Sequence, residues 1–294
     1  MDNVNNELPP KPKSPSFDDC CGNGCTHCVF DIYEEEVKLW EKECLRIQTG
    51  KRNKLGNSKG LSLETYTYLK LSCIEELTQD TKNYTFQCDQ LKLEPGKHLL
   101  LRWKDEGLTR QYTPISSDEN SFKVLIKTYP KGRMSSYIKK WEINDEIEWR
   151  GPFGSFQYTP NLYPRICMIA AGTGITPMMP ILYSILDNEK DETLIKLIFC
   201  CRTYKEILLK EQLDQFSSFW NFKVHYCLSC DNNAIAKYNE SLIKSRLNAN
   251  LIADKLGSSI HQTHFLICGS ETFQEDIKAC LKSLNVKDHS MFIF

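Results

Sequence analysis

A glycine-rich turn between a predicted strand and a predicted helix carries the strongest chemical signal in the chain. The apolar run at 166–170 is typical of a strand buried on both faces, and Gly-Thr-Gly follows at 172–174. Two glycines one residue apart let the backbone approach a ligand that a Cβ atom would exclude. Thr176 and Pro177 suit the N-cap and the first position of a helix, where free N–H groups attract anions. The turn predicts a phosphate or pyrophosphate site; an ordinary strand–helix turn is the alternative, because Pro177 replaces the last glycine of the dinucleotide fingerprint.

A second stretch, at 110–116, combines residue types that bind phosphates and flat rings. Its sequence is Arg-Gln-Tyr-Thr-Pro-Ile-Ser, and on an extended strand Arg110, Tyr112 and Pro114 share one face. A guanidinium matches a phosphate, and a tyrosine can lie along a flat ring system. A barrel strand with a surface arginine is the alternative.

A third stretch, at 127–136, predicts a second phosphate cradle. The sequence Lys-Thr-Tyr-Pro-Lys-Gly-Arg-Met-Ser-Ser indicates a strand, a turn at Gly132 and a helix that opens near Met134. The free N–H groups of that helix and the Arg133 side chain would face an anion. A basic, solvated hairpin is the alternative.

These motifs lie in two regions with different patterns. Residues 61–155 hold short β-rich segments separated by turn residues, which predicts a small closed barrel or sandwich. The predicted strands are Tyr66–Ile74, Tyr84–Cys88, His98–Trp103, Gln111–Ile115, Phe122–Tyr129 and Glu146–Trp149.

Residues 160–294 alternate predicted strands and helices, which indicates a parallel α/β sheet. The strands are expected at Ile166–Ala170, Leu194–Cys201, Phe222–Leu228, Thr263–Cys268 and Ser290–Ile293, and the helices at Thr176–Asp187, Lys205–Gln215, Ser241–Leu247 and Glu271–Leu284. Ligands of such sheets bind beyond the carboxyl ends of the strands, so one crevice should face the barrel. Asp231, after the third strand, is either a partner for adenosine ribose hydroxyls, which would favour NADH over NADPH, or a plain loop residue. Arg202 would instead favour NADPH, because its positive charge could attract a 2′-phosphate.

Residues 1–60 form an N-terminal tail that is rich in proline and cysteine. It contains a predicted short helix over Asp31–Arg46 and a basic linker over Arg46–Gly60. The cysteines Cys20, Cys21, Cys25 and Cys28 lie near His27. They are either soft ligands for zinc or iron or a turn with free thiols; a second cysteine pair is not obvious, so we expect no metal.

Composition excludes several function classes. The net charge of −1 gives no reason to expect nucleic acid as a partner. No apolar run approaches the length of a membrane span, and the start shows no signal or transit peptide, which predicts a cytoplasmic protein without an anchor. The remaining cysteines, mostly single within apolar runs, are expected to be small buried hydrophobes.

The motifs occur in an order and spacing that resemble a known family. Arg-x-Tyr-Thr-Pro-x-Ser, Gly-Arg-Met-Ser, Gly-Pro-Phe-Gly at 151–154 and Gly-Thr-Gly-Ile-Thr-Pro-Met follow one another, as in NADH–cytochrome b5 reductases, which are ferredoxin-reductase-type flavoproteins. The resemblance covers 66–294. The tail resembles a small oxidoreductase-like N-terminal module, and together with Cys-Gly-Ser-Glu at 268–271 it looks most like the cytochrome b5 reductase-like branch.

This resemblance implies a six-stranded antiparallel FAD-binding barrel followed by a doubly wound parallel-sheet NAD-binding domain. It implies that Thr113, Thr176 and Cys268 lie at the site of hydride transfer. The residues at cofactor-binding positions are Arg110, Tyr112, Thr113, Pro114, Ser116, Lys127, Tyr129, Gly132, Arg133, Met134, Ser135 and Ser136 in the barrel and Gly172, Thr173, Gly174, Thr176, Pro177 and Gly269 in the second domain.

Three positions depart from the family pattern. Ala171 replaces a common glycine, Arg133 replaces a lysine, and Ser270-Glu271 replaces Pro-Pro. Glu271 either adds negative charge beside the hydride path or caps the next helix, which we favour. The terminal Phe294 either shields the flavin or ends a plain edge strand.

The function implied by the resemblance is transfer of electrons from NADH through FAD, one at a time, to a haem protein such as cytochrome b5, by a monomer. A basic strip at Lys127, Lys131, Arg133, Lys139 and Lys140 would steer an acidic acceptor or balance the cofactors' own charge. The alternatives are a flavin reductase or diaphorase with a ferric or quinone acceptor, and a degenerate flavin-binding scaffold.

Overall fold

The computed structural model describes residues 8, 11–16, 29–49, 60–89, 91, 93–237 and 240–294. Helix α1 (Val29–Gln48) contains the predicted helix Asp31–Arg46 and extends it by two residues at each end. None of the helices within these ranges is long and apolar enough to span a membrane. The four clustered cysteines of the tail and most of the basic linker lie outside the described residues.

An antiparallel sheet forms the first folded unit, and its described part has seven strands in the order β4-β3-β7-β1-β2-β6-β5. The strands are β1 (Thr67–Thr78), β2 (Thr81–Gln87), β3 (His98–Trp103), β4 (Leu108–Tyr112), β5 (Pro114–Ser117), β6 (Ser121–Lys127) and β7 (Glu146–Phe153). The short helix α2 (Arg133–Ile138) closes one end, where Met134 and Ile138 pack into the barrel core. The predicted fold class is confirmed, with one strand more than expected.

The extra strand arises because the predicted strand Gln111–Ile115 breaks at Thr113. Strands β4 and β5 lie at opposite ends of the sheet order, yet only this one residue separates them. Consecutive Cα atoms are about 3.8 Å apart, so the two edges of the sheet must meet at Thr113. The sheet therefore closes into a barrel whose seam carries Thr113.

A parallel sheet forms the second unit, with six strands in the order β11-β10-β9-β8-β12-β13 over the described ranges. The strands are β8 (Arg165–Ala171), β9 (Leu194–Cys201), β10 (Phe222–Leu228), β11 (Ser241–Ile243), β12 (His264–Cys268) and β13 (Met291–Ile293). The helices are α3 (Met178–Leu186), α4 (Lys210–Phe216), α5 (Ala249–Leu256) and α6 (Glu271–Ser283). Helices α3 and α4 pack on one face and α5 and α6 on the other, as predicted for a doubly wound sheet.

The predicted helix Ser241–Leu247 is wrong. Ser241–Ile243 form the edge strand β11, and Ser241 Oγ lies 2.7 Å from Nδ1 of His225 on β10. The helix begins only after Asn248, whose side chain accepts a hydrogen bond of 3.1 Å from Leu251 N. An N-cap of this kind sets the first turn of a helix, and apolar spacing alone did not locate it.

The helix predicted from Lys205 also begins later than expected. Leu209 has a left-handed backbone conformation with φ of 54°. A continuous right-handed helix cannot contain that conformation, so α4 starts at Lys210.

A shared hydrophobic core joins the two sheets. Ile115 on β5 and Leu125 on β6 belong to the same buried cluster as Ile175 and Met178 at the start of α3. This contact presses the barrel seam against the carboxyl end of β8, so the space between the two sheets is fixed by packing.

We expect Ile115→Ala to lower the free energy of unfolding by about 2–5 kcal/mol, because it deletes a buried side chain from the core that both sheets share. Ile235→Ala removes the same atoms from a side chain that is 85% exposed, and its effect should stay within about 0.5 kcal/mol. Denaturant unfolding of both variants is the measurement. Equal effects would show that the shared core adds nothing to stability.

Candidate active site

A cleft of about 1120 Å³ lies between the barrel seam and the carboxyl ends of the parallel strands. A typical ligand pocket has about 300–1,000 Å³, so this cleft has room for an extended ligand or for parts of two. Both sheets contribute backbone and side chains to its walls, and α1 contributes Val29 and Ile32.

The glycine turn after β8 forms one wall of the cleft. Residues Gly172–Ile175 make a single 3-10 turn, and Gly172 adopts a φ of +54° with no atom within 4 Å of the place where a Cβ would stand. At Gly174 a Cβ would lie 2.3 Å from the carbonyl oxygen of Cys268. The turn thus needs glycine twice, once for conformation and once for close approach to β12.

The helix that follows this turn has no side-chain cap. The structure places Pro177 at the N-cap of α3, and no side chain accepts a hydrogen bond there, so the predicted capping role of Thr176 is wrong. The physical reason is that the 3-10 turn continues to Ile175 and its backbone takes the N–H of Thr176, which bonds to Thr173 O at 3.0 Å. Thr176 still lines the cleft.

The end of β12 forms the next part of the wall. Cys268 and Gly269 line the cleft, and Ser270 caps α6 by accepting a hydrogen bond of 3.4 Å from Phe273 N. Glu271 lies in the first turn of α6, where the helix dipole stabilises a carboxylate, and it does not line the cleft. The cap is therefore Ser270, and Glu271 adds its charge to the helix end.

On the barrel side, Tyr112 joins the cleft to the barrel core. Its ring meets that of the fully buried Trp149 edge to face, with centroids 6.2 Å apart. Burial raises the pKa of the Tyr112 phenol well above its ordinary value, so the hydroxyl stays protonated at neutral pH. Arg110, one pleat earlier on the same face, donates from Nη1 to Thr109 O at 2.8 Å.

Two basic groups of the barrel wall have acidic neighbours. Lys127 Nζ lies 3.1 Å from Asp80 Oδ2, and Arg133 Nη2 lies 2.8 Å from Glu106 Oε2. Burial raises the pKa of Asp80, but hydrogen bonds from Lys127 and from two threonines outweigh it and hold the pKa below its usual range. These pairs orient the cations before a ligand arrives.

The predicted cradle at Gly132 has the expected strand, turn and helix. Strand β6 ends at Lys127, α2 starts at Arg133, and Ser135 Oγ accepts a hydrogen bond of 3.0 Å from Tyr129 N. A Cβ at Gly132 would lie 2.7 Å from that Oγ atom, so a side chain at this position would displace the hydroxyl from its hydrogen bond.

The structure brings most of the predicted site residues into one cleft. Those that line it are Arg110, Tyr112, Thr113, Lys127, Tyr129, Gly132, Arg133, Met134, Ser135, Gly172, Thr173, Gly174, Thr176, Pro177, Cys268 and Gly269. It does not bring Pro114, Ser116, Ser136 or Asp231 to the lining. Pro114 follows the strand break at Thr113 and is buried, and Asp231 Oδ2 accepts a hydrogen bond of 3.0 Å from Tyr204 N.

Many lining residues were not predicted from the sequence, and three groups among them show why. Ser245–Leu247 were expected to be helical, Phe156 follows the β-rich region without a motif, and Val29 and Ile32 belong to the tail. Only long-range packing brings the tail to the cleft, so no local spacing could have revealed it.

Two thiols at the carboxyl end of β9 are poor nucleophiles. A hydrogen bond with Cys227 and burial raise the pKa of Cys200, and burial raises that of Cys201 to about 12. Both remain protonated at neutral pH, so they act as apolar wall.

A closed antiparallel barrel and a doubly wound sheet that share a cleft with two glycine-dependent anion cradles define a class of two-domain flavin- and nicotinamide-dependent oxidoreductases. Family models agree: residues 68–158 match the oxidoreductase FAD-binding domain and residues 168–279 the oxidoreductase NAD-binding domain. Residues 6–49 match the N-terminal oxidoreductase-like protein family. The cofactors of the chain are thus FAD and NADH, as predicted.

The chain belongs to the NADH-cytochrome b5 reductase family. It is 39% identical to the NADH-cytochrome b5 reductase-like protein of Mus musculus, over 97% of this chain and 95% of the relative. It is 38% identical to the Homo sapiens protein of the same name, over 97% and 94%. NADH-cytochrome b5 reductase 1 of Dictyostelium discoideum is 35% identical over 79% and 84%. The resemblance inferred from the motifs is confirmed.

Solved structures support the fold. The cytochrome b5 reductase domain of Ulva prolifera nitrate reductase has a TM-score of 0.70 at 24% identity, over 81% of this chain and all of that chain. The CS-b5R domains of human Ncb5or, in an NAD+ form, have a TM-score of 0.68 at 24% identity, over 78% and 69%.

We expect Gly174→Ala to weaken NAD+ binding roughly tenfold, which corresponds to about 1.4 kcal/mol. The new Cβ would overlap the Cys268 carbonyl, so the turn and the end of β12 must separate. Calorimetric titration of the flavin-loaded protein with NAD+ measures the effect. Gly257→Ala is the control: the φ of +56° at this position strains any side chain by about 1–3 kcal/mol, but the residue lies outside the cleft. Undiminished affinity in Gly174→Ala would contradict the expectation.

Proposed function

We propose that the chain is an FAD-dependent NADH reductase that passes electrons one at a time to a haem protein, most simply cytochrome b5. The observation that carries the proposal is the cleft itself, in which one glycine turn from each sheet faces the same space. The relatives named as NADH-cytochrome b5 reductases support the choice of acceptor.

The residues fit the two cofactors through different parts of the cleft. Arg110, Arg133 and the turn at Gly132 would hold the FAD phosphates, with Tyr112 beside the flavin. The turn Gly172–Gly174 would hold the NADH pyrophosphate. FAD accepts a hydride when bound and releases single electrons, which is the cofactor's own chemistry.

The chain would contribute alignment to that chemistry, and no general base is required. Thr113 at the barrel seam, Thr176 after the glycine turn and Cys268 at the end of β12 line the cleft where the two sheets meet. We assign to these residues the positioning of the two rings. The packed core beneath the seam would keep the distance between them constant.

The nucleotide preference is part of the proposal. Arg202 lines the cleft, and Asp231 is held by Tyr204 N just outside it. We propose that NADH is preferred over NADPH, because a 2′-phosphate would bring two further negative charges near the Asp231 carboxylate.

We also propose a monomer that works in the cytoplasm, with a tail over 1–60, a flavin domain over 61–155 and a nicotinamide domain over 160–294.

Anaerobic stopped-flow spectroscopy tests the function in two half-reactions. Mixing the purified flavoprotein with NADH should bleach the flavin rapidly, and NADPH should act at least about tenfold more slowly. Adding oxidised cytochrome b5 should then restore the flavin colour. Bleaching without reoxidation by cytochrome b5, but with ferricyanide or a quinone, would point to a different acceptor. No bleaching would indicate a flavin-binding scaffold without reductase activity.

The exposed lysines at the end of α2 should steer an acidic acceptor. We expect Lys139→Glu/Lys140→Glu to slow reoxidation by cytochrome b5 roughly tenfold at low ionic strength and to leave flavin reduction by NADH unchanged. Lys282→Glu/Lys287→Glu changes the same charge on exposed positions of the second domain and is the control. An equal slowing in both double variants would show that net charge, not this surface, is responsible.

A further inference from the structure

The N-terminal tail packs against the part of the cleft where the FAD phosphates are expected. Val29 and Ile32, in the first turn of α1, line the cleft together with Thr109, Arg110 and Arg133. Ile32 is only 5% exposed. A smaller cavity of about 130 Å³ continues between α1, residues 13–16 and Arg133. Two apolar side chains of the tail therefore lie at the end of the cleft where FAD is proposed to bind.

A buried carboxylate fastens α1 to the barrel. Glu36 is 7% exposed, accepts a hydrogen bond of 3.0 Å from Thr109 Oγ1 and accepts another from the Tyr66 hydroxyl. Burial and the nearby Glu36 raise the pKa of Tyr66 far above its ordinary value, so this phenol remains a donor. A buried acceptor with two donors is a specific contact and not a chance one.

Two arginine side chains place positive charge beneath α1. Arg102 and Arg150 place their guanidinium carbons 3.9 and 5.0 Å from the centroid of the Tyr66 ring. Arg102 forms an ion pair with Glu148, whereas the buried Nε and Nη2 atoms of Arg150 have no hydrogen-bond partner among the described residues. Glu36, which accepts a hydrogen bond from the Tyr66 hydroxyl, also helps to raise the pKa of Arg102, so its carboxylate adds negative charge beside these cations.

A second contact links the tail to Arg133. Lys13 Nζ donates to Asp105 O at 3.1 Å, and a Cβ at Gly107 would lie 3.2 Å from Lys13 N. Glu106, in the same turn, forms the ion pair with Arg133. The tail thus packs on the turn whose carboxylate orients the arginine.

The direction of β4 shows which end of the groove the tail covers. Thr109 and Thr113 are four residues apart, which corresponds to about 13 Å on a strand. Thr113 lies at the seam facing the second domain, and Thr109 lies under α1, with Arg110 between them on the cleft wall. A dinucleotide with its flavin at Thr113 and its phosphates at the arginines would extend its adenosine end towards Val29 and Ile32.

We propose that the N-terminal module, residues 11–16 and α1, is a wall of the FAD site that covers the adenosine half of the cofactor and slows its release. The inference depends on the proposed placement of FAD. Glu36 is a positioning residue that holds the wall, while Val29 and Ile32 supply the contact. The module consequently distinguishes FAD from FMN, which lacks the adenosine half.

The test compares the release of FAD with the binding of FMN in the full-length protein. Val29→Ala/Ile32→Ala should release FAD roughly tenfold faster, because two apolar contacts are lost. The rise in flavin fluorescence measures this release. FMN affinity of the apoprotein, measured by titration, should change less than about twofold. Glu36→Gln keeps the shape of the anchor and removes its charge, and it should accelerate FAD release in the same direction.

Leu45→Ala is the matched control, since this side chain of α1 is 62% exposed and is absent from the cleft lining. Release of FAD at the wild-type rate from the double variant, or an equal loss of FAD and FMN affinity, would overturn the inference. If Glu36→Gln fails to fold, the double variant still decides, because it leaves the anchor intact. A wild-type protein that takes up no FAD would refute the proposed function, and with it this inference; tight FAD binding with unaltered release would refute the inference alone.

Discussion

The site depends on one hydrophobic contact, the packing of Ile115 and Leu125 against Ile175 and Met178. These residues lie directly beneath the barrel seam and the glycine turn, so any sliding of one sheet over the other would separate the two walls of the cleft. Close-packed apolar side chains resist such sliding, because even a small gap loses dispersion contacts. The cleft is thus rigid where the rings of two cofactors must meet, and its polar groups need only maintain local order.

Two ion pairs and one close backbone contact hold the groups of the cleft in place. Lys127 faces Asp80, Arg133 faces Glu106, and the backbone of Gly174 touches the backbone of β12. Both of these cations are held by an acid from a neighbouring turn, so little of their side-chain entropy remains to be lost on binding. The same arrangement links the first two strands to the site, because Asp80 lies in the turn between β1 and β2.

The sequence predicted regular elements well and their interruptions poorly. Alternation and apolar runs located both sheets, since those patterns reflect burial that each element experiences along its own length. The break at Thr113 and the edge strand at Ser241–Ile243 were missed, because each is decided by pairing with a neighbouring strand and not by the apolar pattern of the segment itself. The motifs that carry glycine and arginine placed most of the site, but Val29 and Ile32 reach it only through the buried contact of Glu36 with Thr109. The carboxylate of Asp231 accepts a hydrogen bond from the backbone N–H of Tyr204, a partner that no spacing rule includes.

The edge-to-face contact between Tyr112 and Trp149 has an optical consequence. Trp149 is fully buried in the barrel core, and the Tyr112 ring that it contacts lines the cleft. An isoalloxazine beside Tyr112 would accept excitation energy from this indole at very short range, so cofactor binding should quench the Trp149 contribution to the near-ultraviolet fluorescence of the protein. Trp149 is therefore an intrinsic fluorescent probe of flavin binding, and no added label is needed.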